Sequence, residues 1–316
     1  MNTTLADTAG ERPRSAAAPH TQKSLGDTLI TLVRREFWEH RALWLAPLAV
    51  VGLLMLCAAI GRIHIDLEDA GPVEGEAQRV AVSTIIQWVL AMPLYLVVLL
   101  VTSFYLLDCL YAERKDRSIL FWKSLPVSDE LTVSAKMLVA LAVMPLAVFA
   151  LALAAGLLFT VILGGRVLLG SLPPVFTWNA YEWARTELVM LLVTLVAVLW
   201  YAPLAAYLLL MSAWVRRAPV LLATLPLVIG PILEWVAFGT RHFMDFINYR
   251  LNGIWWLLGV HNTHIVTKHG LYSVGTALEV LDFHSVLTSV DLWLGLAVCA
   301  ALVYAVIRIR RFRDDT

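Results

Sequence analysis

Six stretches of this chain stay apolar for long enough to cross a lipid bilayer, and that constrains the fold more than any motif. They fall at about residues 43–61, 84–110, 137–163, 188–214, 219–239 and 291–307. A helix of ~18 or more apolar residues spans the ~30 Å hydrocarbon layer. The chain is 60% hydrophobic and 15% charged, with a mean hydropathy of +0.76, outside the range of soluble globular domains. The expected fold is all-α and polytopic, with residues 42–316 forming a six-helix transmembrane domain. Formal net charge is zero, so overall charge points to no partner class and to no nucleic acid.

Residues 1–23 are polar and rich in Ala, Thr and Pro, and are expected to form a disordered cytoplasmic tail without a cleavable signal peptide. Residues 24–41 read as an amphipathic helix. Leu25, Leu29, Leu32, Val33 and Phe37 form one face, and Asp27, Arg34, Arg35 and Glu39 supply polar surface. Such a helix lies in the membrane interface or packs on cytosolic loops. The segment 240–290 is longer than a loop needs to be. Its run Ile254-Trp255-Trp256-Leu257-Leu258 is too short to span twice and reads as a re-entrant helical segment between spans five and six, or as a structured outer loop.

Orientation follows from Lys and Arg. With both termini inside, the cytoplasmic pieces carry 17 and the outer pieces seven, while the acidic residues divide evenly. Only Lys and Arg set topology, so the bias favours N-in/C-in. Tryptophans sit near both interfaces, with only Trp200 in mid-span, as an aromatic belt requires.

Between spans two and three lies a charged island, residues 112–136, AERKDRSILFWKSLPVSDELTVSAK. It holds Glu113, Arg114 and Arg117, then four consecutive apolar residues, Ile119, Leu120, Phe121 and Trp122. A solvent loop has little use for such a run, whereas a short helix at a membrane surface or against a soluble partner does. After Pro126, Ser128 is a good N-cap, with Asp129 and Glu130 in the first turn of the next helix.

Motifs for chemistry are missing. There is no G-x-x-x-x-G-K-[ST] loop, so the chain is not expected to hydrolyse ATP, and neither HExxH nor GxSxG occurs. His261, His264, His269 and His284 read as surface histidines rather than a metal site, because no Cys or close carboxylate joins them. Cys57, Cys109 and Cys299 lie in apolar runs and read as small core residues. Asp108, Glu187 and Glu234 are the carboxylates nearest membrane depth, all toward span ends. Six prolines punctuate the spans, and Pro226 and Pro231 around Gly230 mark the expected break in span five. The second span has the most polar face, and Thr84, Gln87, Tyr95, Thr102 and Ser103 are the candidate lining of a translocation path.

The combination resembles the ABC-2 type permeases. The match is carried by Glu113-Arg114-Lys115-Asp116-Arg117-Ser118-Ile119-Leu120, then Ser124-Leu125-Pro126-Val127-Ser128, then Lys136 opening span three. The resemblance covers residues 24–316, although only the island is motif-like. It implies a transmembrane subunit of a bacterial exporter in the inner membrane. The first helix would be a connecting helix. Residues 112–131 would be the segment on which a separate ABC-type ATPase docks, with Glu113, Arg114, Arg117, Ile119, Leu120, Phe121 and Trp122 making the contacts. ATP and Mg would be held by that partner, with no cofactor or metal in this chain. A second permease copy, or a related one, and membrane lipid would complete the assembly. A non-transporting membrane scaffold or sensor is the competing reading; a membrane-embedded enzyme and a secondary transporter lack their expected polar residues.

Overall fold

The computed structural model describes residues 24–61, 76–124, 127–170, 179–259, 266–267, 270–271 and 281–312. Within that set the side chains of residues 76–85, Leu120, Trp122, Lys123 and the 266–271 strands lie outside the description. The expected tail over 1–23, and His261, His264 and His269, also fall outside the described residues.

The described residues are helical almost throughout. Six helices are long and apolar enough to cross a membrane: Ala42–Ile60, Ile86–Lys115, Asp129–Leu168, Ala180–Trp214, Pro219–Phe238 and Val290–Phe312. This is a multi-pass membrane protein. A first helix, α1 (Leu25–Glu39), precedes them. Ser24 caps it, accepting from the Asp27 backbone N–H at 3.1 Å. The first spanning helix is α2 (Ala42–Ile60) and the second is α3 (Glu76–Lys115). A seven-residue helix, α4 (Ser118–Ser124), follows the corner at Asp116 and Arg117. Then comes α5 (Asp129–Leu138), capped by the Ser128 hydroxyl, which accepts from Leu131 N–H at 3.2 Å.

The third span is longer than its apolar run and carries a defect. Residues Val139–Val143 form a π-turn between α5 and α6 (Met144–Leu168). Met144 N–H donates to the Val139 carbonyl, five residues back. Pro145 comes next, and a proline ring collides with the carbonyl four residues before it. The wider turn relieves that collision.

The 35-residue helix α7 (Ala180–Trp214) is the axis of the fold. It packs on α3, α6, α8 (Pro219–Phe238), α9 (His242–Leu257) and, most extensively, the last helix, α11 (Val290–Phe312). Small buried residues such as Ala152, Ala155, Gly156, Ala202, Ala205 and Ala206 let these helices approach closely. Close backbone packing takes the place of hydrophobic burial where lipid is the solvent.

Helix α8 runs unbroken through Pro226, Gly230 and Pro231, so the break expected there is absent. The glycine serves a contact instead. A Cβ on Gly230 would lie 2.5 Å from Cε1 of Phe243 in α9. Glu234 ties the same two helices together: its carboxylate accepts from His242 N–H at 2.9 Å and Phe243 N–H at 2.7 Å. It thereby caps α9 and leaves none of its charge for membrane chemistry.

Beyond α9 come a two-residue antiparallel pair, β1 (Val266–Thr267) with β2 (Gly270–Leu271), and the short α10 (Phe283–Thr288). The end of α9 is locked onto α7 and α11. Trp200 Nε1 donates to the Arg250 carbonyl at 2.9 Å, and the Arg250 guanidinium lies 4.6 Å from the Trp200 ring centre and donates back to the Trp200 carbonyl. Tyr249 donates to Asp291 at 2.7 Å. Burial and that carboxylate together push the Tyr249 phenol up to about 12.

Candidate functional site

The polar residues of the first helix and of the island converge. Leu25, Leu29 and Leu32 continue on α1 into Glu36, so this glutamate lies on the apolar stripe and is buried. On α5, Thr132 and Val133 lead in the same way to Lys136, which is 0% exposed. The Lys136 ammonium reaches Glu36 at 2.8 Å and Glu113, near the end of α3, at 3.1 Å. Glu113 also pairs with Arg310 of α11 at 2.6 Å and with Arg35 of α1 at 3.2 Å. Arg310 Nε reaches on to Asp129 of α5 at 2.8 Å. Tyr105 donates to the second oxygen of Glu36 at 2.9 Å. Arg35 is chelated by Glu39 at 2.7 and 3.1 Å.

Three cations and four carboxylates are thus joined, drawn from α1, α3, α5 and α11. A buried ion pair adds little net stability, because desolvation cancels most of the attraction, but it fixes one arrangement, since a displaced charge would stay buried without a partner. The knot holds the helices around the island in a single register.

His40 closes the side of the knot. Its ring lies edge-on to Tyr105, with centres 4.9 Å apart. Burial holds the imidazole below its ordinary value, outweighing the nearby Glu36. Glu36, Glu39 and His40 bring ligand atoms within 4.8 Å of one another, a spacing that suits a metal ion. The Lys136 and Arg35 cations already pair with those carboxylates, so a metal would have to displace a buried ammonium from Glu36 and a guanidinium from Glu39.

The island's residues divide into two groups. Glu113 is buried in the knot, and Arg114 turns inward. Its Nη2 donates to the Ser212 carbonyl and, at 2.8 Å, to the Val215 carbonyl, binding the last turn of α7 where the helix dipole favours a cation. Arg117 and Phe121 point outward. Arg117 has φ +58°, a left-handed conformation rare for a residue with a Cβ, and it forms the corner between α3 and α4. Ile119 is half-buried and Phe121 is 60% exposed, so α4 turns one apolar side into the bundle and one away. Leu120 and Trp122 lie on α4, and their side chains are outside the described residues.

The second-span candidates face different ways. Tyr95 hydrogen-bonds Thr194 of α7 at 2.8 Å. Ser103 donates to the Leu99 carbonyl of its own helix at 2.7 Å. Gln87 Oε1 and Thr102 Oγ1 are buried without a hydrogen-bond partner among the described residues. The side chain of Thr84 lies outside the described residues.

A further residue belongs with them. Glu187 on α7 is buried, and among the described residues its Oε2 has no partner, nor has the indole N–H of Trp183 one turn earlier. Both groups lie over Gly156 of α6, where a Cβ would sit 3.7 Å from Glu187 Oε1 and 3.9 Å from Trp183 Nε1. Glu187 is seven residues before Thr194 and Gln87 eight before Tyr95 on helices running the same way, so at ~1.5 Å per residue the two lie at one level. The position of Glu187 in an apolar run was the visible sign; its pairing level with Gln87 was not readable from one sequence. No family model, curated protein or solved structure matches the chain.

Proposed function

We propose that this chain is the transmembrane permease subunit of an ATP-binding cassette transporter, working as an exporter. A separate ATPase subunit docks on residues 112–131 and carries the ATP and Mg. One observation carries the reading: α4 is a short helix between two spans, with Phe121 turned outward and its root held by the buried charge knot. A docking element transmits force only if its base is rigid, and the knot supplies such a base to α1, α3, α5 and α11.

Six candidate spans support a reading in which both ends lie on one side, and the Lys/Arg bias favours the cytoplasmic side. On this reading α1 is the connecting helix at the inner interface, and α9 with the segment after it is a re-entrant element on the outer face. The unpartnered Gln87 and Glu187 lie between α3 and α7, where the path is placed. A second copy, or a related permease, completes the pathway in a bacterial inner membrane.

The test is purification of the full chain from its native host in mild detergent. An ATPase that accompanies the native chain and is lost from an Arg117→Glu, Phe121→Asp, Trp122→Ala variant supports both the permease and its docking element. An ATPase retained by both assigns docking elsewhere. No ATPase under several mild conditions leaves the chain as a membrane scaffold or sensor.

A further inference from the structure

Beside the charge knot lies a cleft of about 530 Å³, formed where α1 meets α2 and walled by α3 and the start of α8. Its rim is polar: Glu39, His40, Arg41 and Asp108. Its wall is apolar, with Val101, Phe104 and Leu107 of α3 facing Val220 of α8. Arg41 stands at the start of α2, so the rim is at the depth where spanning helices leave the hydrocarbon. From Asp108 back to Val101 the wall runs seven residues along α3, about 10 Å into the apolar layer. Phe104 is 58% exposed, so the cleft opens sideways toward lipid rather than into the bundle.

The charges at the rim are not equivalent. Glu39 is taken up by Arg35 at 2.7 Å. His40 is held toward its neutral form by burial. Arg41 and Asp108 are exposed, and neither side chain forms a hydrogen bond or ion pair with a described residue. The cleft therefore offers one unused cation, one unused anion and an adjoining apolar wall.

We propose that this cleft is a binding site for a bilayer phospholipid with a phosphoethanolamine headgroup. The phosphate meets Arg41, the primary ammonium donates to Asp108 with the His40 imidazole beside it, and an acyl chain lies along Val101, Phe104 and Val220. An anionic lipid would satisfy Arg41 and leave its negative charge against Asp108; a cationic amphiphile would do the reverse. A quaternary ammonium has no N–H to donate to the carboxylate. The inference needs only that the six helices sit in a bilayer, and stands apart from the ATPase reading.

The experiment reconstitutes the full chain into nanodiscs with equal phosphatidylethanolamine, phosphatidylglycerol and phosphatidylcholine, strips lipid stepwise and reads what is retained by native mass spectrometry. Phosphatidylethanolamine is expected to be retained about fivefold over phosphatidylglycerol, the scale of one partly exposed charge contact. Asp108→Asn turns the preference toward phosphatidylglycerol, and Arg41→Gln weakens both. Equal retention of the ethanolamine and glycerol lipids by the native chain overturns the proposal. So does phosphatidylcholine held as well as phosphatidylethanolamine, or a preference that Asp108→Asn leaves unmoved. Both residues are exposed and without side-chain partners, so the single variants test the site without touching the knot.

Discussion

Two buried polar regions of this protein follow opposite rules. At the island end, Glu36, Glu113, Lys136 and Arg310 are all buried, and every one has a partner of opposite charge within 3.1 Å. Farther along the bundle, Glu187 is buried and Gln87 and Trp183 half-buried, and each keeps a buried polar atom with no partner among the described residues. A region whose groups answer one another is built to hold still. A region whose groups point at nothing is built to meet something that comes and goes, because an unmade buried hydrogen bond is a standing cost of about 1–3 kcal/mol. The contrast separates a region held by its own charges from one with polar atoms to spare among the described residues.

The sharpest way to break that contrast is at Lys136. Lys136→Met strands Glu36 and Glu113 in a dry site and is expected to cost about 3–5 kcal/mol, seen as a large drop in thermal stability in detergent. Adding Glu36→Gln should recover part of the loss; if it recovers nothing, the two charges are not coupled.

At Glu187 the expected sign reverses. Glu187→Leu removes a carboxylate with no partner, so the melting temperature should hold or rise by the equivalent of about 1–3 kcal/mol, while any transport activity falls. A loss as large as that of Lys136→Met would mean that Glu187 belongs to the frame.

Asp129→Asn probes the rim of the knot, where the carboxylate is 25% exposed. About 1 kcal/mol should be lost, and less at high salt, since water screens this pair. A loss as large as that of Lys136 would extend the rigid region outward to the start of α5.

The smallest effect is the pH response of His40. Its folded value lies below the unfolded ~6.5, so the unfolded chain takes up the proton first. This contribution to stability is complete above about pH 6.5 and declines as pH falls toward the folded value. Comparing melting against pH for the native chain and His40→Gln isolates it from the carboxylates, and a native advantage that grows as pH falls has the wrong sign.

Much of the frame could be read from residues alone. Six apolar runs became six helices because a bilayer leaves a continuous apolar run few other choices, and Ser128 starts a helix because its hydroxyl meets a backbone donor three residues on. The helices overrun their apolar stretches, as in Asp129–Leu168 against an expected 137–163, because their polar ends are stabilised by partners on other helices. Those partners were hidden. Glu36 and Lys136 are 100 positions apart and Glu113 and Arg310 are 197 apart, distances over which no periodicity speaks. One local trace existed: both Glu36 and Lys136 fall where the apolar stripe of an amphipathic helix calls for another hydrophobe. The π-turn before Pro145 and the unbroken α8 turned on local strain and on Phe243, neither of which a composition window records.

The charge knot also has a place in time. It draws on Arg35 in α1 and on Arg310 in α11, so it cannot close until α11 has been made. Until then Glu113 has only Lys136 and Arg35 to answer it, and Asp129 lacks its partner on α11. A growing chain is therefore poorly settled until Arg310 of α11 arrives at the foot of the island. A chain cut short before Arg310 would carry a buried carboxylate with too few counterions, a state that membrane proteases and insertion chaperones are well placed to detect. Closure of the knot thus waits on the joining of α1 and α11, at the spot from which α4 is presented.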